Sequence, residues 1–430
     1  MSKTKEVMNL THKIEVDPNN KQKTYFKKAC GVSRHAWNWG LNRWNELYEI
    51  KKNLPEDEKS SINISGMSLK KEYNSIKRTE FPWACEVTKY ASQQPFIQLQ
   101  LAWNRFFKPS LKSNRPKFKK KNKSVDSFYI GGDQTRVKGK KIWIPSLGLV
   151  RLKENLRFEG KINSATISRQ ADRWFASVQV SIGESKIKKT SSRKKVGVDL
   201  GINKAVFLSD GTSIESPKPL KKYLRKLARN QRRMARKVRV AKKDGIKLLE
   251  RKNFKKQKLK VQKIHAKIGN IRKDSIHKIT NYITSNFKEI AIEDLHTKGM
   301  LKNQRLSRAI SDIGFGEIRR QLEYKSKLRG CEIFVVDRFY PSSKTCSNCK
   351  KVKGNGELKL SHRIFKCECG FEIDRDLNAA TNLKNQINLT KKIRIVRPKF
   401  KPVEITAMQK SVFPMIVTSI DESGSKLQAA

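Results

Sequence analysis

Residues 345–380 read TCSNCKKVKGNGELKLSHRIFKCECGFEIDRDLNAA, and the fold of the whole chain turns on how this stretch is understood. Cys346-x2-Cys349 and Cys367-x-Cys369 are separated by 17 residues that include Gly354, Asn355 and Gly356. Such a spacing fits a zinc ribbon built from two knuckles. Four thiolates leave a zinc ion no open position, so its role there is structural. The second knuckle is one residue tighter than the usual pair, which bears on the ribbon's shape more than on its metal. His362 lies between the knuckles but is not required as a ligand and is read as a surface residue. Directly after the second knuckle, DRDLNAA opens a helix with two acids, Asp374 and Asp376.

The surrounding chain is strongly cationic. Its 430 residues carry 96 Lys+Arg against 39 Asp+Glu, a formal net charge of +57, which calls for a polyanionic partner. Nucleic acid is the default. The apolar runs are strand-length, none approaches the ~20 residues of a bilayer span, and no signal peptide is evident. Of the seven cysteines, Cys30, Cys85 and Cys331 stand apart in apolar surroundings and are read as buried thiols. An odd cysteine count without a secretory signal points to a reducing, cytoplasmic location, nucleoid-associated in a prokaryote.

Outward from the ribbon, hydrophobic periodicity divides the chain. Residues 7–17 alternate as a strand, and helical spacing takes over from about Gln22. Trp37, Leu41, Trp44, Leu47 and Tyr48 share one helix face, which assigns these aromatics to a core. Residues 20–107 read as a helical domain. Residues 108–124, KPSLKSNRPKFKKKNKS, form a basic arm in which Arg115, Lys117, Lys119, Lys120 and Lys121 surround Phe118, a composition suited to tracking phosphates. Short β-rich runs follow to about residue 190 and, with the first strand, suggest a small barrel interrupted by the helical domain. Between Lys218 and Lys273 only Asp244 and Glu250 are acidic, and spaced leucines and isoleucines predict a helical hairpin turning at Gly245. Its cations, including Arg229, Arg232 and Arg233, would repel one another without phosphates to neutralise them. From about residue 390 the pattern weakens, and a loosely ordered tail is expected.

Three acids end or adjoin apolar strand-like runs: Asp199 in VGVDLG, Glu293 in IAIEDL and Asp376 in DRDLNAA. Carboxylates folded together from such distant positions repel and have raised pKa values unless divalent cations hold them ionised. That is the requirement for phosphodiester hydrolysis with two Mg2+ ions. Each acid alone is weak evidence, because strand-end acids often serve turns.

The order VGVDLG, IAIEDL, four-cysteine ribbon, DRDLNAA resembles the split RuvC nuclease domain of the TnpB family, transposon-encoded RNA-guided DNA endonucleases related to type V CRISPR effectors. YFKKACGVSRHAWNWGLN, RPKFKKKN, LRKLARNQRRMARKVR, LSRAISDIGFGEIRRQLEYKSKLRG and VDRFYPSSKTCSNC resemble the same family, so the likeness runs from about residue 7 to 386. It implies a multidomain α+β and α/β protein: a wedge-type β-barrel over 1–19 and 108–190, an inserted helical recognition lobe over 20–107, an RNase H-like domain over 191–345 and 370–388, an inserted zinc ribbon over 346–369, and a tail over 389–430. Carried over by motif, Asp199, Glu293 and Asp376 are the catalytic, Mg2+-binding acids. Asp374 contends for the third place and Asp294, more weakly, for the second; Asp210 and Asp337 are read as turn acids. The implied partners are a guide RNA and double-stranded DNA beside a short motif, with Gln94 and Gln98 as candidates for reading that motif. Two other readings share these residues: an RNA-guided DNA-binding repressor that does not cut, and a compact type V CRISPR effector. A strand-transferring transposase is disfavoured, since no separate histidine–tyrosine motif is found.

Overall fold

The computed structural model describes residues 7–389 except 184–186, 188, 247, 249–250, 355 and 359–360. The tail expected beyond residue 389 lies outside the described residues. Two compact units divide between residues 184 and 185.

The first unit opens with β1 (Val7–Asp17), then α1 (Asn20–Asn53), α2 (Gly66–Glu80) and α3 (Lys89–Phe106). Asn19 starts α1 with a capping box: its carboxamide oxygen accepts the Gln22 amide at 2.8 Å, and Gln22 returns the favour to the Asn19 amide at 3.0 Å. Trp37, Leu41 and Trp44 are buried with Leu69, Tyr73, Phe96, Leu99 and Trp103, so the helical spacing of these aromatics does build a core. Tyr48, at the end of the same stripe, remains exposed but stacks on Trp103 and Phe107. The chain continues through β2 (Ser127–Gly131), β3 (Arg136–Lys138), β4 (Lys141–Ile144), β5 (Gly148–Leu152), β6 (Lys161–Gln170) and β7 (Arg173–Gly183). These strands and β1 form one antiparallel sheet in the order β2-β6-β7-β1-β5-β4-β3, whose ladder is open between β2 and β3. Strict alternation in β4, with Ile142 and Ile144 buried and Lys141 and Trp143 exposed, gives the sheet one dry face. Phe26 from α1 packs there against Phe128 and Trp174.

The second unit begins with β8 (Lys195–Asp199), β9 (Lys204–Leu208) and β10 (Ser213–Glu215). Two long helices follow, α4 (Pro219–Lys243) and α5 (Lys252–Asn286), with Gly245 between them at φ +63°. Pro219 occupies the first turn of α4, where its missing N–H costs nothing, and buried Asp312 accepts the next two amides, from Leu220 at 2.9 Å and Lys221 at 3.1 Å. The chain then forms β11 (Glu289–Glu293), α6 (Thr297–Met300), α7 (Ser307–Ile313), α8 (Phe315–Arg329), β12 (Glu332–Val336), β13 (Ile364–Lys366), β14 (Glu372–Asp374) and α9 (Arg375–Leu389). The main sheet runs β10-β9-β8-β11-β12, with β8, β11 and β12 parallel and β9 and β10 antiparallel. One face packs on α5, α7 and α8 through Ile276, Ile283, Ile310 and Ile318; the other receives α9 through Ala291, Phe334, Leu383 and Ile387. Strands buried on both faces explain the nearly unbroken apolar runs VGV and IAI.

Candidate active site and metal centre

The three acids predicted to converge are set by three different elements. Asp199 ends β8, Glu293 ends the neighbouring parallel strand β11, and Asp376 lies in the first turn of α9. Register aligns the two strands, Val198 pairing with Ile292, so both acids emerge at the carboxyl edge of the sheet. Gly197 lets α9 join them: a Cβ at this position would sit 1.9 Å from the Ala380 carbonyl oxygen and 2.5 Å from the Lys384 nitrogen. Only a residue without a side chain permits so close a helix–strand approach.

Electrostatics record the convergence. Burial, then the charges of Glu293 and Asp376, push the Asp199 carboxyl from an ordinary 3.8 up to about 8, with Arg375 and the Leu200 amide pulling the other way. All three acids are half-buried rather than sealed. Hard oxygen ligands clustered where they repel one another suit Mg2+, and a cation there would restore the ionised state.

Asp374 and Asp376 have separate jobs. The exposed Asp374 side chain accepts the amides of Asp376 at 2.9 Å and Leu377 at 3.1 Å, capping α9, whereas Asp376 is the one that acts on Asp199. Asp294 is tied to the guanidinium groups of Arg319 and Arg338, which hold its carboxyl below the usual range. It is a structural ion-pair hub, with each oxygen paired to a guanidinium. Asp210 and Asp337 accept amides two residues ahead, from Thr212 and Phe339, as turn acids do.

A network that the sequence did not reveal supports Glu293. The Ser342 hydroxyl donates to Glu293 Oε1 at 2.6 Å. Ser342 is held in turn by Asn382, whose Nδ2 donates to its carbonyl at 2.9 Å and to the Thr345 carbonyl at 2.6 Å. Asn378 donates to the same Thr345 carbonyl at 2.7 Å and accepts the Ser347 amide at 3.0 Å. Both asparagines are fully buried, one turn apart on α9, and they clamp the loop that enters the first cysteine knuckle. Two polar residues at i and i+4 among Ala379, Ala380 and Leu383 were the available signal.

The cysteine cluster forms as the spacing predicts. The four Sγ atoms of Cys346, Cys349, Cys367 and Cys369 lie within 4.8 Å of one another, with 3.8 Å between Cys346 and Cys369 and 3.6 Å between Cys349 and Cys367. A tetrahedral zinc with Zn–S near 2.3 Å sets its sulfurs about 3.8 Å apart, so the donor set fits that ion. Despite unequal spacing, each knuckle places a left-handed residue after its second cysteine, Lys350 at φ +68° and Gly370 at +80°. His362 is exposed. Among the scattered thiols Cys30 is buried and Cys331 half-buried, but Cys85 is exposed, at the end of a short turn rather than in the core.

The basic positions separate by environment. Arg229, Arg232 and Arg233 are exposed on α4, and Arg233 joins Arg236, Lys237, Arg251 and Phe254 around a cavity of about 560 Å3 on the α4–α5 hairpin. None of the three acids lines it. The basic arm is pinned along α1: Trp37 Nε1 donates to the Lys117 carbonyl at 3.0 Å, Asn38 brackets Lys119 at 2.9 and 2.7 Å, and Arg115 donates to Asn45 at 3.0 Å. Lys117, Lys120 and Lys121 stay exposed. The Lys119 ammonium instead lies 3.9 Å from the Trp37 ring centroid, and burial pushes its pKa down to about 8. Gln94 requires correction: it is 5% exposed, within the helix-packing interior, and cannot read a groove from there. Gln98 is half-buried.

Comparison with known proteins gives three matching family descriptions: "Probable transposase" over 177–304, "Cas12f1-like, TNB domain" over 315–383 and "Helix-turn-helix domain" over 8–53. In this chain the last span is a strand followed by one continuous 34-residue helix. InsQ of Escherichia coli K12, named for RNA-guided DNA endonuclease activity, is 30% identical over 86% of this chain and 90% of its own. A Streptomyces pristinaespiralis protein with the same naming is 33% identical over 71% of this chain and 73% of its own. A Cas12f1–sgRNA–target DNA complex superposes loosely, with TM-score 0.46 and 15% identity over 85% of this chain and 83% of that one.

Proposed function

The chain belongs to the TnpB family of RNA-guided DNA endonucleases, and from that membership we propose that it binds a transposon-derived guide RNA and cleaves matching double-stranded DNA beside a short motif. The observation that carries the proposal is the mutual arrangement of Asp199, Glu293 and Asp376, in which burial and then the charges of Glu293 and Asp376 push the Asp199 carboxyl up to about 8. Asp199, Glu293 and Asp376 would hold Mg2+, which when bound supplies activation of water and stabilisation of the leaving oxygen.

The protein's own groups arrange the rest. Ser342 donates to one oxygen of Glu293 and so fixes the rotation of that carboxylate, leaving Oε2 for other partners. Asp374 caps α9 and so fixes the first turn that carries Asp376. Arg375 offsets part of the negative charge at Asp199. The thiolates of Cys346, Cys349, Cys367 and Cys369 would hold one structural zinc, which keeps the Ser342–Ser347 loop in reach of Asn378 and Asn382. The sheet order of the second unit supports an RNase H-like domain carrying this ribbon, and the open antiparallel sheet with α1–α3 supports a wedge and a recognition lobe.

Base pairing with the guide would supply sequence recognition, while exposed cations such as Arg229, Arg232, Lys120 and Lys121 follow backbones. Incubation of the protein with its guide RNA, Mg2+ and a matched plasmid tests the proposal. Linearisation is expected; stable guided binding with the plasmid left intact would indicate a repressor instead.

A further inference from the structure

Phe339 is the most exposed large hydrophobic side chain among the described residues, at 87%, ahead of Leu389 at 73% near the end of the described chain. Leaving a phenylalanine in water forgoes on the order of 2 kcal/mol of burial, a gain open to any flat group that covers the ring. The backbone that carries it is fixed. The Phe339 amide donates to the Asp337 carboxylate at 2.8 Å, the Tyr340 amide donates to the Asp337 carbonyl at 3.1 Å, and the Ser342 amide to the Tyr340 carbonyl at 2.8 Å. Arg338 on one side donates to the Asp294 carbonyl at 3.0 Å and its carboxylate at 2.6 Å. Tyr340 on the other side packs inward against the cluster of Ala291, Phe334, Val336, Leu383 and Ile387. With both neighbours anchored, the turn holds Phe339 outward.

The loop also belongs to the acid site. It begins after Val336, the register partner of Glu293, and ends at Ser342, whose hydroxyl holds Glu293. The loop thus flanks these carboxylates, and an unpaired base offers what an exposed aromatic ring can use, a flat π-face.

We propose that Phe339 is a stacking platform for an unpaired nucleobase of the DNA strand crossing the acid site, positioning the scissile phosphate without reading sequence. The proposal rests on the nuclease function above and adds a substrate-binding residue to it. Stacking of one base supports a loss of about tenfold on truncation.

The test compares wild type, Phe339→Ala and Phe339→Trp, each assembled with guide RNA and Mg2+ on matched duplexes carrying single abasic nucleotides placed in turn around the cut site. Phe339→Ala should cut intact DNA about tenfold more slowly, Phe339→Trp should recover most of the rate, and both should melt with wild type. At one abasic position wild type should slow to the Phe339→Ala rate while that variant slows no further. A 2-aminopurine placed in turn at the same positions, in duplexes bound with or without cutting, should be quenched at one of them by wild type and not by Phe339→Ala. Equal cutting by wild type and Phe339→Ala, or abasic effects that are the same in both, would overturn the platform while leaving the nuclease intact. Failure of wild type to cut intact DNA would instead remove the nuclease, and the 2-aminopurine signal would still decide the stacking.

Discussion

At the scale of single residues, what distinguishes Asp376 from Asp374 is hydrogen bonding that no spacing encodes. Both stand within three positions in DRD, yet one carboxylate caps two amides through a single oxygen and the other adds its charge to Asp199. Asp376→Ala should therefore abolish cleavage, whereas Asp374→Ala should lose about 1 kcal/mol of stability and retain cutting. The raised Asp199 pKa has a pH signature of defined sign. A carboxyl moved from 3.8 to about 8 destabilises the fold progressively as pH rises between those values, because folding then confines a charge that the unfolded chain leaves hydrated. In magnesium-free buffer Asp199→Asn should melt above the parent at pH 8, by about 1–2 kcal/mol or a few degrees, with the gap closing near pH 4. Scanning calorimetry at the two pH values checks this; a gap that widens toward pH 4 would contradict it. Ser342→Ala should leave guided DNA binding unchanged, raise the Mg2+ concentration needed for half-maximal cleavage and lower the maximal rate, with Ser342→Thr recovering both.

Elements were legible where periodicity and spacing carried the information, as in the alternation of β1, the aromatic stripe of α1, the helical hairpin and the two cysteine knuckles. Each rests on local repetition that packing did not override. Gln94 shows the converse: on a helix that buries more than one face, a polar side chain goes inside, where the sequence reading made it a candidate for reading a DNA motif. The Ser342, Asn378 and Asn382 network was illegible because it joins a loop, a helix and a strand end through hydrogen bonds between positions up to 49 residues apart. Gly197 is the element-scale weak point. A methyl there meets the Ala380 carbonyl at 1.9 Å, so Gly197→Ala should displace α9 from β8 and cost cleavage even if the chain still folds. Circular dichroism together with a cleavage assay separates those outcomes. Removing zinc should act through the same helix: chelation is expected to release the Ser342–Ser347 loop, lower the melting temperature and slow cleavage, with all three restored by added zinc.

At the scale of the whole molecule, a net charge of +57 fits a protein that holds nucleic acid largely by its backbone and leaves sequence to base pairing. Affinity for the guide and target should fall by roughly 0.7 to 0.9 log units per log unit of salt for each phosphate neutralised, with Arg229→Ala and Arg232→Ala each reducing that slope by about one phosphate. Among the described residues no helix is long and apolar enough to cross a membrane. The basic surfaces, the cysteine cluster and the acids all serve one claim, that guided DNA is cut at Asp199, Glu293 and Asp376. The most direct measurement assembles the full-length protein with its guide RNA and follows a matched supercoiled plasmid in Mg2+, beside Asp199→Ala and a mismatched plasmid. Linear product is expected from wild type on the matched plasmid alone, and guided binding without cleavage from Asp199→Ala; undiminished cutting by Asp199→Ala, or guided binding by wild type that never linearises the plasmid, would contradict cleavage at these acids.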